Sequence, residues 1–149
     1  EKIFPHVIEP SYGLDRIVFS VLLHTFTEDE ENEREYFKLP KDIAPVEVSV
    51  FPLLNKEQLR EEALKIKNDL REKGFIAEFD ASGTIGRRYA RSDEIGVPYA
   101  ITVDHDSIDD NKVTIRNRDN LKQKRILISD IAGIWDSLLK SRLEFDDIN

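Results

Sequence analysis

Val46-Glu-Val-Ser-Val-Phe-Pro52, followed by Asn55-Lys-Glu-Gln-Leu-Arg-Glu-Glu-Ala-Leu-Lys-Ile-Lys-Asn-Asp-Leu-Arg-Glu-Lys-Gly74, decides the fold class of this chain. In the first stretch β-branched residues alternate with other side chains, the period of two that a strand requires. In the second, Leu59, Ala63, Ile66 and Leu70 recur at helical spacing. Asn55 with Gln58 three residues on has the form of a capping box, and Gly74 stands where a left-handed C-cap residue belongs. A strand that feeds an amphipathic helix opens a βα unit. Two such units in series favour a parallel or mixed sheet covered by helices.

The pattern repeats downstream. Phe75 to Phe79 predicts a second strand, Thr84 is placed to cap a helix ending at Gly96, and Val97 to Val103 is apolar enough to be a strand buried on both faces. Lys112 to Asn117 and Gln123 to Ile128 predict two further strands. Ser129 is expected to cap a last helix with Ile131, Ile134 or Trp135, Leu138 and Arg142 on its inner side. Upstream, Ile3 to Phe26 begins as a strand-like extended piece broken by Pro5 and Pro10, and from Gly13 carries Leu14, Ile17, Val18, Val21 and Leu22 at the spacing of a buried helix. Between the two parts, Glu28 to Glu35 has six acids and one base, Arg34, with no apolar periodicity. Such a self-repelling run predicts a loop or linker. The expected fold is α/β, a mixed and mostly parallel five-stranded sheet flanked by helices and preceded by a short strand-helix piece.

Composition narrows the chemistry. The 149 residues, 40% apolar, suffice for one compact domain with a real core. A net charge of -8 argues against binding to nucleic acid by overall charge alone, but the run 28–35 holds -5 of it. The interval 111–128 carries six basic residues against one acid, a local charge of +5. The absence of cysteine excludes disulfides, thiolate zinc sites and cysteine nucleophiles, and His6, His24 and His105 are too scattered for a histidine metal site, so no metal ligand is expected. The longest mainly apolar stretch, Ile17 to Leu23, is far short of the roughly 20 residues of a bilayer span, and no signal-peptide pattern is present. The expectation is a soluble, intracellular protein with no membrane partner. A chain without methionine is further expected to be cut from something longer.

Four constellations could carry chemistry. In Val7-Ile-Glu-Pro-Ser-Tyr-Gly-Leu-Asp-Arg16, strand alternation would set Glu9 beside Ser11, and Arg16 would fall in the first turn of the helix. A carboxylate next to a hydroxyl suits a ligand ammonium, and a guanidinium suits phosphate or the face of a base; an N-cap serine with a surface ion pair fits the same residues. Ser82-Gly-Thr-Ile-Gly-Arg-Arg-Tyr-Ala-Arg91 places small residues and Arg87, Arg88 and Arg91 around a helix start that offers free N–H groups to phosphate. It lacks the Lys-Ser/Thr of a Walker loop, and the arginines would equally pair with Asp80, Asp93 or Glu94. On strand 112–117, Thr114 and Arg116 share one face, and the following loop presents Arg118, Asp119, Lys122 and Gln123. Arg, Asp and Gln can read the edges of unstacked bases, while lysines set phosphate affinity; a charged hairpin edge guarded against aggregation is the alternative. Asp104-His-Asp106 follows the buried strand at a carboxyl edge, where open α/β sheets tend to bind ligands, although Asp-rich turns are common. Trp135, Phe79 and Phe51 read as core; Tyr89 is open between an RNA-facing ring and a packed one.

The decapeptide ending at Arg16 resembles the third signature motif of class II aminoacyl-tRNA synthetases, in the form found in the glycyl-tRNA synthetase family. The resemblance continues through Phe26, Ala44 to Leu53, Gly86 to Pro98 and Val113 to Asp119, segments similar to that family's C-terminal anticodon-binding domain. It implies three parts: 1–27 as the end of a catalytic domain, 28–42 as an acidic linker, and 43–149 as an anticodon-binding domain. It implies Arg16 as the catalytic, ATP-contacting arginine and Glu9 and Ser11 as the glycine-binding pair. Anticodon contacts are implied for Arg87, Arg88, Arg91, Asp104, Arg116, Arg118, Asp119, Lys122 and Gln123. Asp104 would suit the exocyclic amine of cytosine, which forms the last two bases of a glycine anticodon. The partners implied are tRNA(Gly), glycine and ATP with Mg2+, in a cytoplasmic and homodimeric parent enzyme that binds no DNA. The family's first and second motifs are absent, so the chain alone is expected to bind no cofactor and to be inactive. Two other classes compete. A non-catalytic accessory domain that reuses the fold for RNA or protein binding would not need Glu9, Ser11 and Arg16 together, and a small α/β enzyme using the 83–91 loop for phosphate lacks a nucleophile or base.

Overall fold

The computed structural model describes residues 2–148. Its centre is a five-stranded sheet made of β3 (Val48–Pro52), β4 (Ala77–Phe79), β5 (Tyr99–Val103), β6 (Lys112–Asn117) and β7 (Gln123–Leu127), in the order β4-β3-β5-β6-β7. The β3/β4 and β3/β5 pairings are parallel; β5/β6 and β6/β7 are antiparallel. The sheet is thus mixed as expected, with its four pairings evenly divided. β3 and β5, the inner parallel strands, are buried along their whole length, which is why β5 reads as a nearly continuous apolar run and the Ser49 that alternates in β3 is itself buried.

Helix α2 (Glu57–Glu72) buries Leu59, Ala63, Ile66 and Leu70 against β3, β4 and β5. Each fully buried Leu or Ile side chain of this kind contributes about 1.5–3 kcal/mol. Gly74 ends the helix at φ +91, the left-handed cap its position predicted. The capping box does not form: the N-cap is Lys56, and the Asn55 side-chain Oδ1 instead accepts from Arg60 Nη1. Helix α3 (Ile85–Glu94) has the Thr84 hydroxyl as cap, accepting from the Arg87 amide. A short helix α4 (Asp106–Asp110) follows β5. Ser129 is not a cap but sits in a 3-10 turn, its hydroxyl on Asp130, ahead of α5 (Ile131–Leu139). Ile131, Trp135 and Leu138 of α5 enter the core, whereas Arg142 lies beyond the helix end and is exposed.

The N-terminal region differs most from expectation. Residues 2–13 form no strand, so Glu9 and Ser11 are not paired by a pleat. Helix α1 (Leu14–Thr25) forms, but none of its residues is buried, and its apolar stripe, including Leu14, Ile17, Val18 and Leu22, faces solvent. The acidic run is not a loop: β1 (Phe26–Asp29) and β2 (Arg34–Phe37) pair as an antiparallel hairpin, Phe26 opposite Phe37. The two rings meet edge-on at 5.8 Å, and Asp29 caps the turn by accepting from the Asn32 amide and side chain. The five glutamates of the run are exposed, and β2 packs against α3.

Candidate functional site

Antiparallel pairing of Tyr99 with Asn117 puts the β6–β7 turn at the amino end of β5. Asp104 and the start of α3 lie at the carboxyl end. With β6 spanning the sheet between them, the two ends are separated by roughly 17 Å. The structure therefore divides the residues expected to contact RNA: Arg116, Arg118, Asp119, Lys122 and Gln123 gather at one end, and Arg87, Arg88, Arg91 and Asp104 at the other.

At the turn, Arg118 is 2% exposed. Its Nη1 donates to the Gly96 carbonyl at 2.7 Å, Nη2 to the Leu39 carbonyl at 3.1 Å, and Nε to Asp119 at 2.8 Å. Arg116, 8% exposed, grips the Asp93 carboxylate at 3.0 and 2.8 Å, with its guanidinium 4.5 Å from the Tyr89 ring centroid. The turn itself is closed by side-chain caps. Asn117 Oδ1 accepts from the Asp119 amide at 2.7 Å and Asn120 Oδ1 from the Lys122 amide at 3.0 Å, with Leu121 in the left-handed region at φ +58. Asp119, Asn120, Lys122 and Gln123 are exposed, and the Lys122 ammonium pairs with Asp146.

At the opposite end, Arg88 is 2% exposed and tethers the loop after β4, donating to the carbonyls of Gly83 (2.7 Å), Ser82 (3.4 Å) and Pro52. Arg91 takes up the carboxylate of Asp80. Arg87 is exposed in the first turn of α3. Both oxygens of Asp104 are engaged: Arg125 donates at 2.7 and 3.1 Å, and Ser107 adds its amide at 2.9 Å and hydroxyl at 2.8 Å. The Arg125 hydrogen bonds, aided by Ser107 and opposed by partial burial, hold the Asp104 carboxyl down at about 2. The same contact, with a second from Asp110, raises Arg125 further above its ordinary value. Tyr89 is the packed alternative, edge-on to Phe51 at 5.5 Å with its hydroxyl 2.6 Å from Thr102. Burial pushes that phenol up.

Direct contact with RNA by Arg88, Arg116 or Arg118, as the sequence reading had it, would require each to leave internal acceptors that carry it inside the protein. An uncompensated buried acceptor or carboxylate makes that exchange costly. Of the expected residues, Arg87, Lys122 and Gln123 present their side chains outward without that cost, and Asp119 also faces outward while its Oδ1 accepts from the buried Arg118. Glu9, Ser11 and Arg16 are likewise exposed. Two residues outside the expected site organise the turn. Arg34 of the hairpin reaches Asp93 and the Arg118 carbonyl, and Leu39 receives Arg118. The one signal for Arg34 was its position as the lone base among six acids.

The anticodon binding domain family matches residues 47–136, which span the sheet from β3 through β7 and most of α5. The chain belongs to that family. The chain is also similar to proteins named glycine–tRNA ligase. It is 56% identical over 137 residues to that of Methanothermobacter thermautotrophicus, covering 92% of this chain and 24% of the relative. It is 45% identical over 148 residues to that of Archaeoglobus fulgidus, covering 98% and 26%, and 48% identical over 140 residues to that of Methanocaldococcus jannaschii, covering 94% and 24%. The chain spans about a quarter of the length of these relatives. Among the described residues no helix is long and apolar enough to cross a membrane.

Proposed function

We propose that this chain reads the anticodon of tRNA(Gly) as part of a glycyl-tRNA synthetase, with base contacts from Asp119 and Gln123 and phosphate contacts from Lys122 and Arg87. The observation that carries the reading is the β6–β7 turn. It is an exposed Asp-Asn-Leu-Lys-Gln edge in a family of anticodon-binding domains, closed by the Asn117 cap and seated on the buried Arg118. Preorganised polar groups discriminate between bases because the wrong base leaves them unpaired. On this reading Arg88, Arg116 and Arg118 act as positioning residues, and Arg91 and Asp104 hold the loops at the far end of the sheet.

The domain reading that goes with it assigns 1–27 to the end of a catalytic domain and 43–149 to anticodon binding. The intervening 28–42 then begins within β1, the strand that follows α1 directly, and holds the rest of the hairpin and its connector. The parent protein would attach glycine to tRNA using ATP and Mg2+ through glycyl-adenylate, as a cytoplasmic homodimer. Arg16 would stabilise the ATP phosphates, and Glu9 and Ser11 would hold the glycine ammonium; the exposure of Glu9 and Ser11 ahead of α1 and of Arg16 on it suits one wall of a larger site. By itself the chain would bind no ATP and catalyse nothing.

The test is binding of the chain to a stem-loop with a glycine anticodon, beside one with both cytosines replaced, over a salt series. A preference that persists as salt rises supports base readout here. Equal affinities that fade together leave only a basic patch and overturn the proposal. Glycine-dependent pyrophosphate exchange by this chain alone would overturn the assignment of the catalytic parts.

A further inference from the structure

Arg34 is the lone base of the run 28–35, and a local pair with a neighbouring acid would satisfy it. It makes that pair, Nε to Asp29 at 2.9 Å, but its Nη1 goes elsewhere. That atom donates to Asp93 Oδ2 at 3.2 Å, 59 residues away, and to the backbone carbonyl of Arg118 at 2.7 Å, 84 residues away. The guanidinium also lies 4.2 Å from the Tyr36 ring centroid, and the side chain is only 14% exposed. Asp93 is already matched on both oxygens by Arg116, so its charge does not require a second arginine. The shorter of the two long-range contacts is the one to the turn.

The geometry of that contact matters because of what Arg118 begins. The Asn117 and Asn120 caps set the internal shape of the turn, but they are part of it and cannot fix its tilt on the sheet. Tilt is set from outside: by the Arg118 amide on the Pro98 carbonyl at 3.0 Å, by the Arg118 side chain on Leu39 and Gly96, and by Arg34 on the Arg118 carbonyl. Arg34 and Leu39 belong to the same hairpin and connector, and the hairpin is tied to α1 where the Lys38 amide donates to the Thr25 carbonyl at 2.7 Å.

We propose that Arg34 is a positioning residue for base discrimination: by holding the Arg118 carbonyl it orients the exposed 119–123 edge for the bases, without touching RNA itself. This rests on the reading of the turn as the RNA-binding edge. A misplacement of about 1 Å in such an edge is enough to lose specificity while leaving charge-driven affinity intact.

The experiment compares the chain with Arg34→Lys, Arg34→Ala and the control Asp29→Asn, which keeps both long-range contacts of Arg34. Three quantities are read: the affinity ratio for the glycine stem-loop over the cytosine-substituted one, the salt slope, and hydrogen exchange at the Asp119 and Lys122 amides. In Arg34→Lys, which retains the charge should Arg34→Ala fail to fold, the ratio is expected to fall about tenfold, the size of one lost hydrogen bond to a charged group. The salt slope stays as in the wild type, and the two turn amides exchange faster while those of β3 and β5 do not. Asp29→Asn behaves as wild type. An unchanged ratio in Arg34→Lys, or equal losses on both stem-loops without faster turn exchange, overturns the proposal. If the wild-type chain itself fails to discriminate, the RNA reading has failed instead, and amide exchange alone decides whether Arg34 holds the turn.

Discussion

The carboxylate of Asp93 on α3 and the guanidinium of Arg116 on β6 meet at two points, 3.0 and 2.8 Å apart, with both side chains at most 10% exposed. This pair joins the helical layer to the sheet directly under the end that carries the β6–β7 turn, and Arg34 adds a third member from the hairpin. Removing one charge from such a cluster is far more costly than its presence is stabilising, because the partners remain buried.

Asp93→Asn is therefore expected to destabilise the domain by about 3–5 kcal/mol. Arg91→Ala, which breaks the half-exposed pair with Asp80, should cost no more than about 1 kcal/mol. Urea unfolding of the two variants, with m unchanged, checks the contrast; equal midpoints would show that Asp93 and Arg116 are not a structural pair.

Exposed and buried cations at the same turn should separate by salt dependence. Lys122→Ala is expected to lower affinity for both stem-loops alike and to reduce the salt slope by about 0.7, the contribution of one phosphate contact on a single strand. Arg118→Ala should leave the slope in place, lower the unfolding midpoint and reduce the preference for the cytosine loop. A slope that falls in Arg118→Ala would mean that Arg118 leaves its internal partners to reach RNA.

The depressed carboxyl of Asp104 links stability to acid. Its folded value of about 2 lies below the ordinary aspartate value, so the stabilisation is fully present above that ordinary value and is lost as pH falls through about 2. Asp104→Asn should therefore be less stable than wild type at neutral pH, and the difference should shrink on titration from about pH 4 to pH 2. A difference constant across that range would show that Arg125 and Ser107 do not hold the ionised form.

Gly96 adopts φ +82, and a methyl group there would stand 2.5 Å from Leu39 Cδ1 and 3.2 Å from the Phe37 carbonyl oxygen. Gly96→Ala combines a strained backbone with a displaced Leu39, whose carbonyl receives Arg118, and is expected to cost about 1–3 kcal/mol. Thermal unfolding measures the cost. Faster exchange of the turn amides in the same variant would trace it to the Leu39–Arg118 contact.

Deleting residues 1–24 removes most of α1, which buries nothing against the sheet domain. The unfolding midpoint should change by less than about 1 kcal/mol equivalent, while any concentration-dependent association of the intact chain, driven by the exposed Leu14–Val18–Leu22 stripe, should disappear. Sedimentation of both chains decides it; a large loss of stability would mean that α1 has a partner surface on the domain.

Helix α2 and the inner strands β3 and β5 were legible in the amino-acid order because burial demands a periodic or continuous apolar pattern over many residues. The same local logic found Thr84 and Gly74, whose roles depend on neighbours within one turn. It failed at Asn55 and Ser129, where adjacent hydrogen-bond partners competed for the same side chain. It also failed over 28–35, because a hairpin held by one aromatic pair and one cross-chain arginine leaves no periodic trace.

Charge, apolar period and turn chemistry are properties of residues close in sequence, and they alone determined the α/β class, the five strands of the central sheet and the basic character of 111–128. Which arginines face solvent and which are locked inside was decided only by tertiary structure. Arg118 and Lys122 are equally cationic in the sequence, yet one finds the Gly96 and Leu39 carbonyls beneath it and the other is exposed and pairs with Asp146. Those acceptors come from residues 22 and 79 positions away, brought within hydrogen-bonding distance by the order of strands in the sheet and the folding back of the hairpin.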